Sequence, residues 1–184
     1  VQAISMAESN ACMRRIVAAP TAGACGVLPA VLLPMCKYEE LSQHRILEAL
    51  YVASGIGAVI AYKACIAGAS GGCQAEIGVA VSMASAALCS MMTDDPDTIH
   101  CAASLGGQVL MGLLCNPIEG YVQVPCIVRN MAAVPTAVTC ANAALAGMDH
   151  IVPLDDVVAL MLAVGEKIRP CDEAGTYILK KEEE

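Results

Sequence analysis

The chain has no phenylalanine and no tryptophan, and its few aromatic residues, 3% of the total, are all tyrosine. A core without large rings is built from Ala, Val, Leu, Ile, Met and Cys, and side chains that small imply closely packed helices. Positive charge is scarce as well. Ten Lys and Arg face eighteen Asp and Glu, giving a formal net charge of -8 and a pI near 4.8. That balance excludes a nucleic-acid partner, which needs clustered cations. The one cation pair before the tail, Arg14-Arg15, is expected on a solvated helix face, and Lys180 to Glu184 as a frayed end.

Paired cysteine motifs are missing too. The nearest two cysteines, Cys65 and Cys73, are eight residues apart, so there is no CxxC of the kind zinc ribbons and thioredoxin-like sites use. No charged leader precedes an apolar segment at the start, so no signal peptide is visible, and an odd count of eleven cysteines then favours a reducing compartment, the cytoplasm. Most of these thiols are expected to be small core residues. That group holds Cys12, Cys36, Cys65, Cys89, Cys101 and Cys140, while Cys25 and Cys171 fall in loops.

The chain is otherwise strongly apolar, with 57% hydrophobic residues and a mean hydropathy of +0.62. A spanning helix needs about 20 mostly apolar residues. The uncharged runs 77–93, 102–118 and 131–148 are borderline in length and rich in Ala, Gly, Ser and Cys, which favours a non-membrane protein. At 184 residues, one domain covering 1–184 is expected, all-α: a single compact helical domain with Gly- and Pro-broken helices. Asp95-Pro96-Asp97 supplies an N-cap, a proline at the first helical position and an acid in the first turn of a helix running to about Leu114. Val157, Leu160, Met161 and Val164 share one face of another. Leu41 to Ala67, Ala75 to Met92 and Val128 to Ala146 also read as helical, and sheet alternation is absent.

Three cysteines sit differently from the rest. Cys73 follows Gly71-Gly72, Cys115 precedes Asn116-Pro117, and Cys126 follows Pro125, each at a break where a helix starts or stops. A soft thiolate set drawn from separate elements suits an iron-sulfur cluster better than a hard, oxygen-seeking cation. Spacing alone leaves buried structural cysteines open as the alternative.

Four blocks in order, "NACMRRIVAAPTAGACGVLPAVL" (10–32), "GASGGCQAEIGVAVSMASAA" (68–87), "GLLCNPIEGYVQVPCIVRN" (112–130) and "ALAGMDHIVPLDDVVALMLAVG" (144–165), resemble the alpha chain, or catalytic domain, of iron-sulfur-dependent L-serine dehydratase. The resemblance implies a helical domain that holds a [4Fe-4S] cluster on Cys73, Cys115 and Cys126. It also implies conversion of L-serine to pyruvate and ammonia without pyridoxal phosphate, with a beta chain, a regulatory domain or further copies of the chain as partners. Three ligands make chemical sense. Hydroxide is a poor leaving group, and a Lewis acid on the serine hydroxyl, worth several kcal/mol, requires an iron with no protein ligand.

Other residues of the blocks carry two readings each. The Pro20–Gly26 loop, with Thr21, Ala22 and Gly23, offers backbone N–H groups to a substrate carboxylate, or is a tight turn whose glycines serve packing. Glu76 compensates a helix dipole or contacts the substrate ammonium. Arg129 and Asn130 neutralise cluster charge or bind substrate, or lie on a surface helix. No histidine is assigned as the base. The chain departs from the family pattern at Asn116, where Cys-Asp-Pro is usual, at Lys63-Ala64-Cys65, and in "DEAGTYILKK" (172–181), and the family's domain normally begins upstream of Val1. A silent subunit completed by another chain, a scaffolding or membrane protein with cysteines as core filler, and an L-cysteine desulfidase are the competing readings.

Overall fold

A computed structural model describes residues 1–117, 121, 123–149 and 152–168. Among these are eight α-helices and no strand: α1 (Gln2–Ala11), α2 (Val27–Tyr38), α3 (Gln43–Lys63), α4 (Gly68–Cys73), α5 (Val79–Met92), α6 (Pro96–Gln108), α7 (Gln123–Leu145) and α8 (Leu154–Lys167). A short 3-10 turn at Ala22–Ala24 precedes α2, and a π-helical turn at Gln74–Gly78 joins α4 to α5. The all-α expectation holds, and its cause is the composition. Every residue of α5 from Val79 to Met91 is buried, and most are Ala, Ser, Val or Met. Small side chains let α2, α3, α6 and α7 close around it. The fit is tight: a Cβ on Gly106 of α6 would lie 2.8 Å from Ser82 Cα, and one on Gly57 of α3 would lie 2.9 Å from Met83 Sδ.

Serines in this apolar centre are affordable because each hydroxyl has an acceptor. Ser82 donates to Ala103 O at 2.7 Å, and Ser85 to Val81 O at 2.7 Å and Ala137 O at 3.2 Å. Local signals set the helix starts. Ser42 caps α3, its Oγ accepting from Arg45 N at 3.2 Å, and Asp95 caps α6, a carboxylate oxygen accepting from Thr98 N at 3.0 Å.

Several boundaries and environments differ from expectation. Helix α6 stops at Gln108, six residues before Leu114, because the chain there enters tight turns and Gly112 takes a φ of 81°. Helix α8 buries Leu154, Val157, Val158, Met161 and Gly165, whereas Leu160 is 51% exposed: the buried stripe is centred one position away from the expected one. Cys12 is exposed, since α1 ends one residue earlier and the chain leaves the core, while Cys25 is fully buried. Arg14-Arg15 is exposed, but on an irregular segment, not a helix. Cys36 and Cys65 are half-buried, and Cys89, Cys101 and Cys140 buried. His150, Cys171 and the segment 172–184 lie outside the described residues.

Among the described residues, three helical stretches are long and apolar enough to cross a membrane: 43–63, 68–92 and 123–145. They differ in setting. The second is 89% buried inside the protein, so its hydropathy is that of a core helix, while the first and third are 22% and 28% buried and carry apolar side chains outward, among them Leu47, Tyr51, Val128 and Met131.

Candidate active site

The site begins at a backbone break. Gly72 has φ 74° and ψ -178°, and a Cβ there would meet Leu113 O at 2.9 Å and Ile168 Cδ1 at 3.0 Å. Glycine is required on both counts. The break delivers Cys73, 1% exposed, to the head of the buried helical run. The next residue secures the neighbouring segment. Gln74 is fully buried; its backbone N donates to Leu113 O (3.0 Å), its Oε1 accepts from Gly112 N (2.8 Å), and its Nε2 donates to Met161 O of α8 (2.9 Å). These bonds draw the turn after α6 back over the start of the π-helical turn, bringing Cys115 towards Cys73.

The third cysteine comes from the first turn of α7, and Arg129 lies one turn beyond it. Arg129 Nη1 donates to Cys73 Sγ at 2.6 Å and to Leu114 O at 2.8 Å, and Nη2 donates to Asn116 Oδ1. One guanidinium thus ties together the three segments that carry Cys73, Cys115 and Cys126. The thiols feel one another. Burial, first, and then the charges of Cys115 and Cys126 push the Cys73 thiol up to about 12, against the lowering influence of Arg129. Burial, then Glu76 and Cys115, push Cys126 up to about 11. Without metal these two sulfurs hold their protons, so loading must displace them.

Glu76 and the Pro20–Gly26 loop form the adjoining wall. Thr21 Oγ1 donates to Glu76 Oε1, and a Cβ on Gly23 would fall 2.5 Å from that oxygen, so the carboxylate lies directly against the loop. Asn130 is a buried pin. Its Nδ2 donates to Gly23 O (2.7 Å) and Cys126 O (2.8 Å), and its Oδ1 accepts from Gly26 N (3.0 Å), fixing the loop to α7 beside Cys126. Thr21, Gly23, Glu76, Arg129, Asn130 and the three cysteines therefore share one region, with Ala22 in the same 3-10 turn. Sequence reasoning assigned no role to Gln74 or Asn116. An amide side chain inside the apolar run after Gly71-Gly72 was the available signal for the first, and the second stood out only as a departure from a pattern.

Among the described residues no group of three His, Cys, Asp or Glu side chains is set to hold a single metal ion. A cluster of four irons spreads its thiolates farther apart than one ion does. The donor chemistry fits such a group: three soft sulfurs, a guanidinium against one of them, and half-buried positions at the other two.

A family profile described as "Serine dehydratase alpha chain" matches residues 1–174. The chain belongs to this family. Its relatives include the "L-serine dehydratase, alpha chain" of Peptoniphilus asaccharolyticus, 43% identical over 90% of this chain and 57% of that protein. The "Probable L-serine dehydratase, alpha chain" of Latilactobacillus sakei is 40% identical over 90% of this chain and 79% of its own. "L-serine dehydratase 2" of Escherichia coli (strain K12) is 42% identical over 89% of this chain and only 36% of its own length. The chain thus spans about half of the first relative and about a third of the third. The family is the one that the AAPTAG, GGCQAE and VPCxxRN blocks resemble.

Proposed function

We propose that Cys73, Cys115 and Cys126 hold a [4Fe-4S] cluster and that this chain is the catalytic part of an L-serine dehydratase of the cytoplasm, releasing pyruvate and ammonia from L-serine. The observation that carries the proposal is that Arg129, on the helix that carries Cys126, bonds Cys73 Sγ and both neighbours of Cys115, in a chain of this family. When bound, the cluster supplies a Lewis-acidic iron for the serine hydroxyl. The chain's own groups do the rest. Arg129 offsets negative charge at the Cys73 sulfur. Glu76, held by Thr21 against Gly23, presents an anion beside Cys126, which suits the substrate ammonium better than its carboxylate. Asn130 keeps that wall in register with α7. Loss of the α-hydrogen and the β-hydroxyl as water leaves an enamine, which tautomerises and takes up water to give pyruvate and ammonia.

We further propose that the working enzyme contains more polypeptide, as a beta chain or a joined domain. Two of the relatives named above carry the name alpha chain, and the Escherichia coli protein among them is far longer than the matched region. The outward apolar faces of α3 and α7 are available to such a partner.

Anaerobic reconstitution with ferrous iron and sulfide, a visible spectrum and a pyruvate assay with serine test the reading. Wild type, Cys89→Ser and Cys140→Ser should gain the visible absorbance of a thiolate-ligated cluster, and Cys73→Ser, Cys115→Ser and Cys126→Ser should not. Bleaching by Cys89→Ser with retention in Cys126→Ser overturns the ligand set. An activity stable in air, indifferent to iron and abolished by hydroxylamine overturns the mechanism in favour of pyridoxal phosphate.

A further inference from the structure

Arg129 is half-buried, and among the described residues no carboxylate pairs with it. Its guanidinium is instead spread over three acceptors: Cys73 Sγ and Leu114 O on Nη1, and the Asn116 carboxamide oxygen on Nη2. Asn116 is the only side chain besides Cys73 in that set. Nη1 makes two of the three bonds, and the acceptor on Nη2 holds the planar fork at a third point. A carboxylate at 116 would hold the fork equally well but cancel its charge. A carboxamide holds it and leaves the charge intact.

We propose that Asn116 is a positioning residue that aims Arg129 at the Cys73 sulfur and thereby raises the reduction potential of the cluster that Cys73 is proposed above to hold. Reduction adds negative charge to such a group, and hydrogen bonds and positive charge at its sulfurs stabilise the reduced state. Asn116 contributes no charge of its own. Its influence passes through the guanidinium alone.

Potentiometric titration of the reconstituted chain, matched for iron and sulfide content and checked for helicity by circular dichroism, tests this in a double-mutant cycle of wild type, Asn116→Ala, Arg129→Gln and the double variant. Arg129→Gln should move the midpoint to a more negative potential. Asn116→Ala should move it the same way by a smaller amount, and should add nothing in the Arg129→Gln background. If Arg129→Gln takes up too little iron to titrate, Arg129→Lys replaces it, since a single ammonium cannot bridge both sites and the Asn116→Ala shift should shrink. An Asn116→Ala midpoint equal to wild type, or a shift undiminished in either Arg129 background, overturns the assignment and leaves the cluster reading standing. A wild-type chain that takes up no cluster overturns both.

Discussion

Replacing Gln74 with leucine removes the side-chain bonds that hold the turn before Cys115. The Met161 carbonyl belongs to α8 and keeps its helical partner, so loss of the Nε2 donor at 2.9 Å removes one net hydrogen bond, about 0.5–1.5 kcal/mol. The Gly112 N–H loses its acceptor at 2.8 Å, but Gly112 is exposed and water can replace the bond, so this loss lies at the lower end of the same range. A branched side chain in a fully buried slot designed for a linear one adds packing strain, which offsets the gain from burying a more apolar group. The sum is about 1–2 kcal/mol. For a chain of this size that lowers the melting temperature by roughly 2–4 °C per kcal/mol. The decisive comparison pairs a thermal melt with iron content after anaerobic reconstitution. Gln74→Leu should melt lower and load less iron, because the turn carrying Cys115 is no longer clamped to the start of the buried helix. Unchanged melting together with full loading would refute the claim that Gln74 sets the place of Cys115.

Gly23→Ala should displace the Glu76 carboxylate, since its Cβ would lie 2.5 Å from Oε1, and kinetics with serine should show a raised KM at near-normal melting temperature. Gly106→Ala should destabilise by about 1–3 kcal/mol in urea unfolding, because its Cβ would meet the Ser82 backbone at 2.8 Å, where nothing flexible can yield. Asp95 is held below the ordinary carboxyl value of 3.8 by its Thr98 hydrogen bonds, so the folded state binds fewer protons there. Its contribution is present above that value and is lost as pH falls through the lowered one. Melts of Asp95→Asn across that acid range should show a shallower decline than wild type.

Much of the fold was readable from residues acting locally. The proline and acids at 95–97 start α6 where expected, because capping is a matter of a few neighbouring atoms. Glycine before Cys73 marked a break, and the break is there, at Gly72. Composition alone required a close-packed helical interior, since chains of small apolar residues bury enough surface only by bringing backbones near one another, as α5 does with Ser82 against Gly106. What the sequence could not show was which distant groups meet. Gln74 reaches Gly112, 38 residues on, and Asn130 reaches Gly23, 107 residues back. No local pattern encodes either bond. Burial behaved likewise: Cys12 sits on a helix-like stretch and Cys25 in a loop, yet the first leaves the core at a helix end and the second is enclosed. Capping, breaks and periodicity depend on φ, ψ and immediate neighbours, and so are written in order along the chain. The convergence of Cys73, Cys115, Cys126 and Arg129 depends on how α5, α7 and the turn after α6 pack, and packing is decided only when the whole chain excludes water together.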